Sequence, residues 1–264
     1  TLRGGLMHRS NHSPTQEAPL PAPTRDLTGT VVAITGASAG NGAAATRLLV
    51  EAGANVAVGG RRQDRLDGLA DELGRDRVVG VVCDVRKPED NAALIAAAVE
   101  KWGRLDSVVP NAGIGMYGGI LDYPDDEIAR MVDTNYTGTI WTVRAALPVM
   151  LETAGGGDIV IVASVAGLRG GGDEAVYAGT KFAQVGLAGA MDRELREKGV
   201  RVTAVCPAGV ETEFAIGAGR TEGDPSLSAY LRPEDVAHAI VTVLQQPRSV
   251  RTTLWALWSM GQQS

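Results

Sequence analysis

Residues 30–42 read TVVAITGASAGNG, and this stretch decides the fold of the chain. The apolar run TVVAIT is typical of a buried strand, and the glycines after it mark a tight turn into a helix that reaches about residue 52. In such a unit the backbone can approach a pyrophosphate closely, and the amides at the helix N-terminus face the anion. In a chain with 34 glycines the G-x-x-x-G-x-G spacing alone also fits a plain tight turn.

The alternation of apolar runs with helical stretches continues beyond this unit. Six further apolar runs predict strands, namely residues 55–60, 78–83, 106–111, 158–164, 200–206 and 252–258. Helices are expected at about 63–73, 88–102, 124–151, 177–195 and 233–245. Repeated β-α units predict a parallel, doubly wound α/β sheet. The run DIVIVAS is apolar on both faces, which suits a sheet covered by helices on both sides.

The chain divides into a short arm and one domain. Residues 1–27 contain four prolines and no apolar period, which predicts a flexible N-terminal arm. Residues 28–264 form the predicted single domain. Within it, residues 212–231 are irregular and rich in glycine, and we expect them to form a substrate lid.

Composition excludes several classes of function. The chain has 264 residues, a net charge of −6 and no Lys/Arg run longer than two, which argues against nucleic-acid and membrane surfaces. Three histidines cannot readily assemble a zinc site or a hydrolase triad, so no metal is expected. Cys83 and Cys206 each end an apolar run and are interpreted as buried thiols, which fits a reducing cytoplasm.

Residues 164–181 carry the candidate chemistry. Tyr177 and Lys181 are four apart in a helical stretch and therefore lie on one face. An adjacent ammonium favours the phenolate, so we expect Lys181 to lower the pKa of Tyr177 toward neutrality. Ser164 lies at the end of the fifth predicted strand, where its hydroxyl can hold the same substrate oxygen.

The residues after the second strand bear on cofactor choice. An NAD site needs a carboxylate about 20 residues beyond the glycine loop to bind the adenosine ribose. Here the chain reads GGRR, with Arg61 and Arg62, and guanidinium groups suit a 2′-phosphate. The alternative is a solvated arginine pair at a helix start. Asp84 and Val85 follow the third strand, where a carboxylate can accept from an adenine amine.

Taken together, these segments resemble the short-chain dehydrogenase/reductase family over about residues 28–257. The resemblance rests on TGASAGNG, Asp84-Val85, Asn111-Ala112-Gly113, Ser164 with YAGTK, and PAGVET from Pro207. The family implies a Rossmann-type seven-stranded parallel sheet with helices on both faces. It also implies a homotetramer built through the long helix and the helix of Tyr177, although a dimer stays open.

The resemblance implies a role for each matching residue. Tyr177 is expected to be the general acid/base, Lys181 to bind the nicotinamide ribose and lower the pKa of Tyr177, and Ser164 to hydrogen-bond the substrate oxygen. Asn135 resembles the fourth member, which positions a water for proton relay. The expected cofactor-binding residues are Gly36, Ser38, Asn41, Gly42, Arg61, Arg62, Asp84, Val85, Asn111, Ala112, Gly113, Tyr177, Lys181, Pro207, Val210 and Thr212.

Three positions depart from the family pattern. Asn41 replaces the usual isoleucine of the loop, Pro110 precedes Asn111 where a second asparagine is usual, and Ala208 replaces the glycine after Pro207. None belongs to the Ser-Tyr-Lys set. They affect how the cofactor is expected to be held.

The expected reaction is hydride transfer between NADP(H) and the carbonyl or secondary alcohol of a small ketone or hydroxy acid. A regulatory protein that binds the dinucleotide without turnover and an NAD-dependent dehydrogenase are the alternatives. The expected substrate walls are Met116, Tyr117, Leu168, Arg169, Phe214 and Ile216. Arg169 can clamp a carboxylate, but a solvated loop arginine is the simpler interpretation.

Overall fold

The computed structural model describes residues 24–262. Its seven strands are β1 (Val31–Thr35), β2 (Asn55–Gly60), β3 (Val78–Val82), β4 (Ser107–Val109), β5 (Gly157–Val162), β6 (Val200–Pro207) and β7 (Leu254–Leu257). They form one sheet in the order β3-β2-β1-β4-β5-β6-β7, and every pairing is parallel. The predicted doubly wound, seven-stranded Rossmann-type sheet is confirmed.

Seven helices connect these strands. They are α1 (Gly40–Glu51), α2 (Gln63–Leu73), α3 (Pro88–Trp102), α4 (Asp125–Val132), α5 (Gly138–Ala154), α6 (Ala175–Leu195) and α7 (Pro233–Gln245). Helices α1, α2 and α7 pack on one face of the sheet, while α3, α5 and α6 pack on the other. In β1 the side chains alternate between these two cores, with Val32 and Ile34 on one face and Val31 and Ala33 on the other.

The long helix predicted at 124–151 is two helices joined by a π-helical turn, Asp133–Thr137. The backbone dihedrals of Val132, Thr137 and Gly138 are right-handed helical, so the helical path continues through the junction. The π turn places Asn135, which is fully buried, toward the carboxyl edge of the sheet.

The predicted arm ends earlier than expected. The Arg25 guanidinium is 2.9 Å from the Asp158 carboxylate, and the Leu27 side chain is buried in the core. Residues 25–27 therefore belong to the domain, because an ion pair and apolar burial hold them there. The rest of the predicted arm, residues 1–23, lies outside the described residues.

Topology places the ligand crevice. Chain order reverses between β1 and β4, and in open α/β sheets ligands bind beyond the carboxyl ends of the strands at such a switch point. Cys83 and Cys206 are free and buried, as predicted. Across residues 24–262, no helix is both long and apolar enough to span a bilayer, and no cluster of three His, Cys, Asp or Glu residues is placed to hold a metal.

Candidate active site

A cavity of about 1390 Å³ opens at this carboxyl edge. Loops after β1, β2, β3, β4, β5 and β6 all contribute to its wall. Small-molecule sites commonly occupy about 300–1,000 Å³, so the space exceeds what one small substrate needs. It has room for an extended cofactor together with a substrate.

The glycine loop is shaped by close packing as well as by any ligand. Gly36 has φ +69°, and a Cβ there would lie 2.7 Å from Ala112 Cα. A Cβ at Gly42 would lie 2.5 Å from the Gly36 carbonyl oxygen. Gly42 does not line the cavity, and the structure places it in the packing of the loop. Both glycines let the loop lie against the chain after β4.

The N-terminus of α1 faces the cavity without a side-chain cap. Ala39 occupies the capping position and has no hydroxyl or carboxylate to accept from the first amides. Such uncapped amides favour an anion. Asn41 also lines the cavity, and its buried Oδ1 has no hydrogen-bond partner among the described protein atoms. These features fit a dinucleotide pyrophosphate.

Asn111 fastens the loop after β4 to the end of β1. Its Nδ2 donates to the carbonyl oxygens of Thr35 and Gly36 at 2.9 and 3.2 Å, and its backbone N–H donates to Thr35 Oγ1. Asn111, Ala112 and Gly113 line the cavity as expected. The amide of Asn111 is nevertheless committed to the protein, so its role is to position the loop.

Arg61 and Arg62, which follow β2, both line the cavity. Arg62 donates to Ser38 Oγ at 3.1 and 3.3 Å and lies 3.0 Å from the Glu213 carboxylate. Arg65 pairs with the same carboxylate at 2.7 Å. Sequence patterns gave no reason to connect Glu213 with these arginines, because 148 or more residues separate them.

Asp84 and Val85, which follow β3, have different surroundings. The Asp84 carboxylate is bound by the Arg86 guanidinium, which lowers the pKa of Asp84, and its backbone N–H donates to Asp90. Val85 is buried, and a Cβ at Gly138 would lie 2.7 Å from its Cγ2. Both residues still line the cavity.

Ser164, Tyr177 and Lys181 converge on the cavity floor. Ser164 Oγ accepts from the Ala166 N–H at 3.1 Å and donates to the Pro207 carbonyl oxygen at 3.3 Å. Lys181 Nζ donates to the Val162 carbonyl oxygen at 3.2 Å and lies 5.7 Å from the centroid of the Tyr177 ring. All three side chains are buried. A hydroxyl, a phenol and an ammonium therefore share one site.

The prediction that the pKa of Tyr177 is lowered toward neutrality is wrong for the protein without a bound ligand. Burial raises the pKa of Tyr177 above its usual value, and Tyr117 adds to this while a hydrogen bond to Ser164 opposes it. Burial also lowers the pKa of Lys181 to about 8. A desolvated phenol disfavours its anion more than a neighbouring, partly compensated ammonium favours it. Tyr177 is therefore a protonated donor at neutral pH.

Asn135 joins three elements around Lys181. Its Oδ1 accepts from the Ile114 N–H at 2.8 Å, and its Nδ2 donates to the Ile114 carbonyl oxygen and to Thr180 Oγ1. Its own carbonyl oxygen accepts from Gln184 Nε2 at 2.7 Å. Gln184 is fully buried and also accepts from Lys181. Sequence reasoning missed Gln184, whose only signal is a polar residue one turn beyond Lys181.

Aromatic side chains form the wall opposite this floor. The Tyr177 ring lies 5.8 Å from Tyr117 and 5.7 Å from Phe214, measured between centroids. Arg220, another residue that sequence reasoning missed, stacks its guanidinium against Tyr117, Phe214 and Tyr230. The predicted lid segment thus supplies both an aromatic wall and a cation.

The expected substrate walls are mostly placed at the cavity. Met116, Tyr117, Arg169, Phe214 and Ile216 line it, as do Pro207, Val210 and Thr212 at the cofactor end. Arg169 lies 5.5 Å from the Trp258 ring centroid. Leu168 is 40% exposed and does not line the cavity, so the structure does not bring it together with the other expected wall residues. The short helical turn after Ser164 directs Leu168 to solvent.

Residues 30–223 match the model of the family described as short chain dehydrogenase. This stretch includes the glycine loop, the Ser-Tyr-Lys group and the start of the lid. The chain belongs to the short-chain dehydrogenase family. A short-chain dehydrogenase of this fold is an oxidoreductase with a nucleotide-binding sheet.

Known relatives agree with this assignment. An uncharacterized oxidoreductase of Staphylococcus aureus strain MRSA252 is 38% identical over 224 residues, 85% of this chain and 94% of that protein. An alcohol dehydrogenase from Thermococcus sibiricus, solved with 5-hydroxy-NADP, has a TM-score of 0.81 and 31% identity, covering 89% of this chain and 98% of its own. A Brucella melitensis 3-ketoacyl-(acyl-carrier-protein) reductase, solved with NADH, has a TM-score of 0.81 and 28% identity, covering 89% and 99%.

Proposed function

We propose that this short-chain dehydrogenase transfers hydride between NADP(H) and the carbonyl or secondary alcohol of a small molecule. The observation that carries the proposal is the meeting of Ser164, Tyr177 and Lys181 on the floor of a cavity that also contains an uncapped helix N-terminus. A regulatory protein that only binds the dinucleotide has no need of this group.

The chain's own residues supply binding, orientation and a proton. The amides of the glycine loop and α1 would hold the pyrophosphate, Asp84 would accept from the adenine amine beside its pairing with Arg86, and Lys181 would bind the nicotinamide ribose with Thr212 nearby. The nicotinamide, when bound, supplies or accepts the hydride. The Ser164 hydroxyl, which donates to the Pro207 carbonyl oxygen in this structure, would turn its one hydrogen to the substrate oxygen. Tyr177 gives its proton to that oxygen in reduction and takes it back in oxidation.

NADP(H) is proposed over NAD(H) because the end of β2 supplies guanidinium groups. Arg61 and Arg62 lie beside the cavity where an NAD site needs a carboxylate. Bidentate binding by arginine suits a 2′-phosphate. Complexes with 5-hydroxy-NADP and with NADH both occur among the solved relatives. The test therefore compares kcat/KM for NADPH and NADH with one accepted carbonyl, with Arg61→Gln and Arg62→Gln in turn.

The substrate is proposed to be an acid rather than a neutral ketone. Arg220 lies against Tyr117 and Phe214, the two rings that adjoin Tyr177, and its charge opposes the burial effect on the pKa of Tyr177. Its Nη1 donates to the Val210 carbonyl oxygen, and no Asp or Glu within residues 24–262 forms an ion pair with it. A half-buried guanidinium in an aromatic setting favours a carboxylate partner.

The test of the activity is direct. Purified protein is mixed with NADPH and a panel of keto acids and neutral ketones, and the loss of NADPH absorbance is followed. Turnover of a keto acid supports the proposal, whereas NADPH binding with no turnover across the panel supports the regulatory alternative. Faster turnover with NADH than with NADPH supports the NAD-dependent alternative.

We also propose a homotetramer assembled through α5 and α6. The proposal follows the family resemblance, and Phe182, on α6, is 47% exposed and is therefore available for a partner subunit to cover. Light scattering tests this, with Phe182→Glu expected to give smaller species. The free thiols of Cys83 and Cys206 support a reducing compartment such as the cytoplasm.

A further inference from the structure

Gln184 lies one helical turn beyond Lys181 and is fully buried. Both of its amide hydrogens have protein acceptors, since Nε2 donates to the Asn135 carbonyl oxygen at 2.7 Å and to Thr139 Oγ1 at 2.8 Å. Its Oε1 accepts from Lys181 Nζ at 2.9 Å. A buried carboxamide is retained at such a cost only when its partners are satisfied. The side chain therefore bridges the ammonium to the π turn.

The Asn135 carbonyl oxygen is bound on both sides by the protein. It accepts from Gln184 Nε2 and from Thr139 Oγ1, both at 2.7 Å. The Asn135 side chain is bound to Ile114 and Thr180. The π turn therefore gives Gln184 a fixed partner, which holds the carboxamide in one orientation.

Lys181 depends on its few acceptors. An ammonium has three donors, and two of them are bound by the Val162 carbonyl oxygen and Gln184 Oε1. Burial lowers the pKa of Lys181 to about 8, and acceptors that bind the charged form oppose this. Loss of the Gln184 oxygen would leave the ammonium with one protein acceptor in a desolvated site.

We infer that Gln184 is a positioning residue that keeps Lys181 charged and directed at the cavity. The hydrogen bonds from Nε2 to the Asn135 carbonyl oxygen and to Thr139 Oγ1 fix the carboxamide, so that its oxygen faces Lys181. The inference rests on the proposed function for its kinetic readout.

The other titratable groups around Lys181 are few. Cys206 on β6 faces it and favours its charged form, while Tyr177 lies on the same helix. The π turn contributes peptide and amide groups at this point, since its Asp133 is exposed. The loop after β4 presents Gly113, whose added Cβ would lie 3.7 Å from Lys181 Nζ. A substitution of Gln184 is therefore expected to change the pH profile mainly through its effect on Lys181.

Two substitutions test the inference because they move the pKa of Lys181 in opposite directions. Gln184→Met keeps the shape and removes the acceptor, so the alkaline limb of the kcat–pH profile is expected to move about one unit lower, with kcat reduced roughly 10-fold or more. Gln184→Glu places a carboxylate beside the ammonium, so the limb is expected to move higher. Gln245→Met, a half-buried glutamine on α7, is the matched control and leaves the profile unchanged.

A second readout needs no turnover. The pH dependence of NADPH binding, followed by nicotinamide fluorescence, is expected to shift in the same two directions. Opposite shifts without any carbonyl turnover support the role of Gln184 and overturn the proposed reaction. If the variants turn over a carbonyl but the alkaline limbs of their kcat–pH profiles do not move, or move in the same direction in both variants, the role of Gln184 is overturned and the proposed reaction stands. Failure of the wild-type chain to bind NADPH or NADH overturns both.

Discussion

The Arg62 guanidinium lies 3.0 Å from the Glu213 carboxylate, which joins the end of β2 to the predicted lid. Arg65 reaches the same carboxylate, and hydrogen bonds from Arg65 and Arg62 lower the pKa of Glu213. The guanidinium proposed to bind a 2′-phosphate is thus already paired with an anion. A phosphate at this position would compete with Glu213, and the lid would lose a tie to α2 when NADP(H) binds.

Glu213→Gln is expected to tighten NADPH binding by roughly 2- to 5-fold, because a neutral amide no longer competes for Arg62 and exposed ion pairs are each worth about 0–1 kcal/mol. NADH binding should hardly change, since NADH has no 2′-phosphate. Titration of both cofactors by fluorescence measures the effect. Glu211→Gln, an exposed neighbour with no ion pair in the described chain, is the control, and equal effects of both variants would contradict the competition.

The same competition predicts a pH effect. The lowered pKa of Glu213 means that its ion pairs are complete above the ordinary carboxyl range and are lost as the pH falls through the lowered value. As the pH rises from acidic to neutral, Glu213 becomes charged and competes with NADPH for Arg62. The ratio of the NADH to the NADPH dissociation constant is therefore expected to fall more in the wild type than in Glu213→Gln. Parallel curves for the two proteins would argue against a role of the carboxylate.

Most of the fold could be predicted from regular patterns in the sequence. Parallel strands and the glycine turn follow from hydrophobic runs and backbone freedom, which are local properties of the sequence. The break between α4 and α5 was missed because a π turn keeps helical dihedrals and leaves no glycine or proline signal at Asp133–Thr137. Such a turn depends on the packing of Asn135 against Ile114 and Thr180, contacts 21 and 45 residues away.

The candidate site shows the same division between local and distant effects. Ser164, Tyr177 and Lys181 could be predicted from spacing together with a family resemblance. Gln184, Glu213 and Arg220 could not, since each matters through a partner that only folding brings near. The direction of the Tyr177 pKa was also wrong, because spacing indicates a neighbouring charge while desolvation depends on the surrounding walls.

Tyr177→Phe is expected to lower kcat by about 10²- to 10⁴-fold, the usual contribution of a positioned proton donor. The ring that packs against Tyr117 and Phe214 is kept, so NADPH binding should stay within about 2-fold. Single-turnover NADPH oxidation measures the first value and fluorescence titration the second. Tyr136→Phe, which lies outside the cavity wall, is the control. Undiminished turnover in Tyr177→Phe would remove the phenol from the mechanism.

Asp158→Asn is expected to destabilise the domain by about 3–5 kcal/mol, because a buried ion pair that loses one partner leaves unpaired charge behind. The Asp158 carboxylate is 1% exposed and pairs with Arg25, Arg201 and Arg248 at the amino edge of the sheet. Urea unfolding measures the change. Glu72→Gln, whose partner Arg47 is half-exposed, should cost no more than about 1 kcal/mol. Equal losses in the two variants would show that Asp158 is not a structural centre.

Arg220 and Glu174 place opposite charges near Tyr177, and the proposed acid substrate would respond to both of them. The charge of Arg220 favours the Tyr177 phenolate, whereas that of Glu174 disfavours it, so both groups lie within electrostatic reach of the phenol. Both also line the cavity. If a substrate carboxylate binds Arg220, removal of the guanidinium should weaken acids, and removal of the Glu174 charge should strengthen them.

We therefore expect Arg220→Gln to raise KM for a keto acid by roughly 10- to 100-fold, the worth of a hydrogen bond to a charged group, and to leave KM for its neutral ester within about 2-fold. Glu174→Gln should lower KM for the acid and not for the ester. Arg169→Gln is the comparison, because Arg169 lines the cavity but stacks on Trp258. Steady-state kinetics with acid and ester pairs measure all three. A loss that is equal for acid and ester would mean that Arg220 shapes the aromatic wall and does not bind the carboxylate, and a selective loss in Arg169→Gln would transfer that role to Arg169.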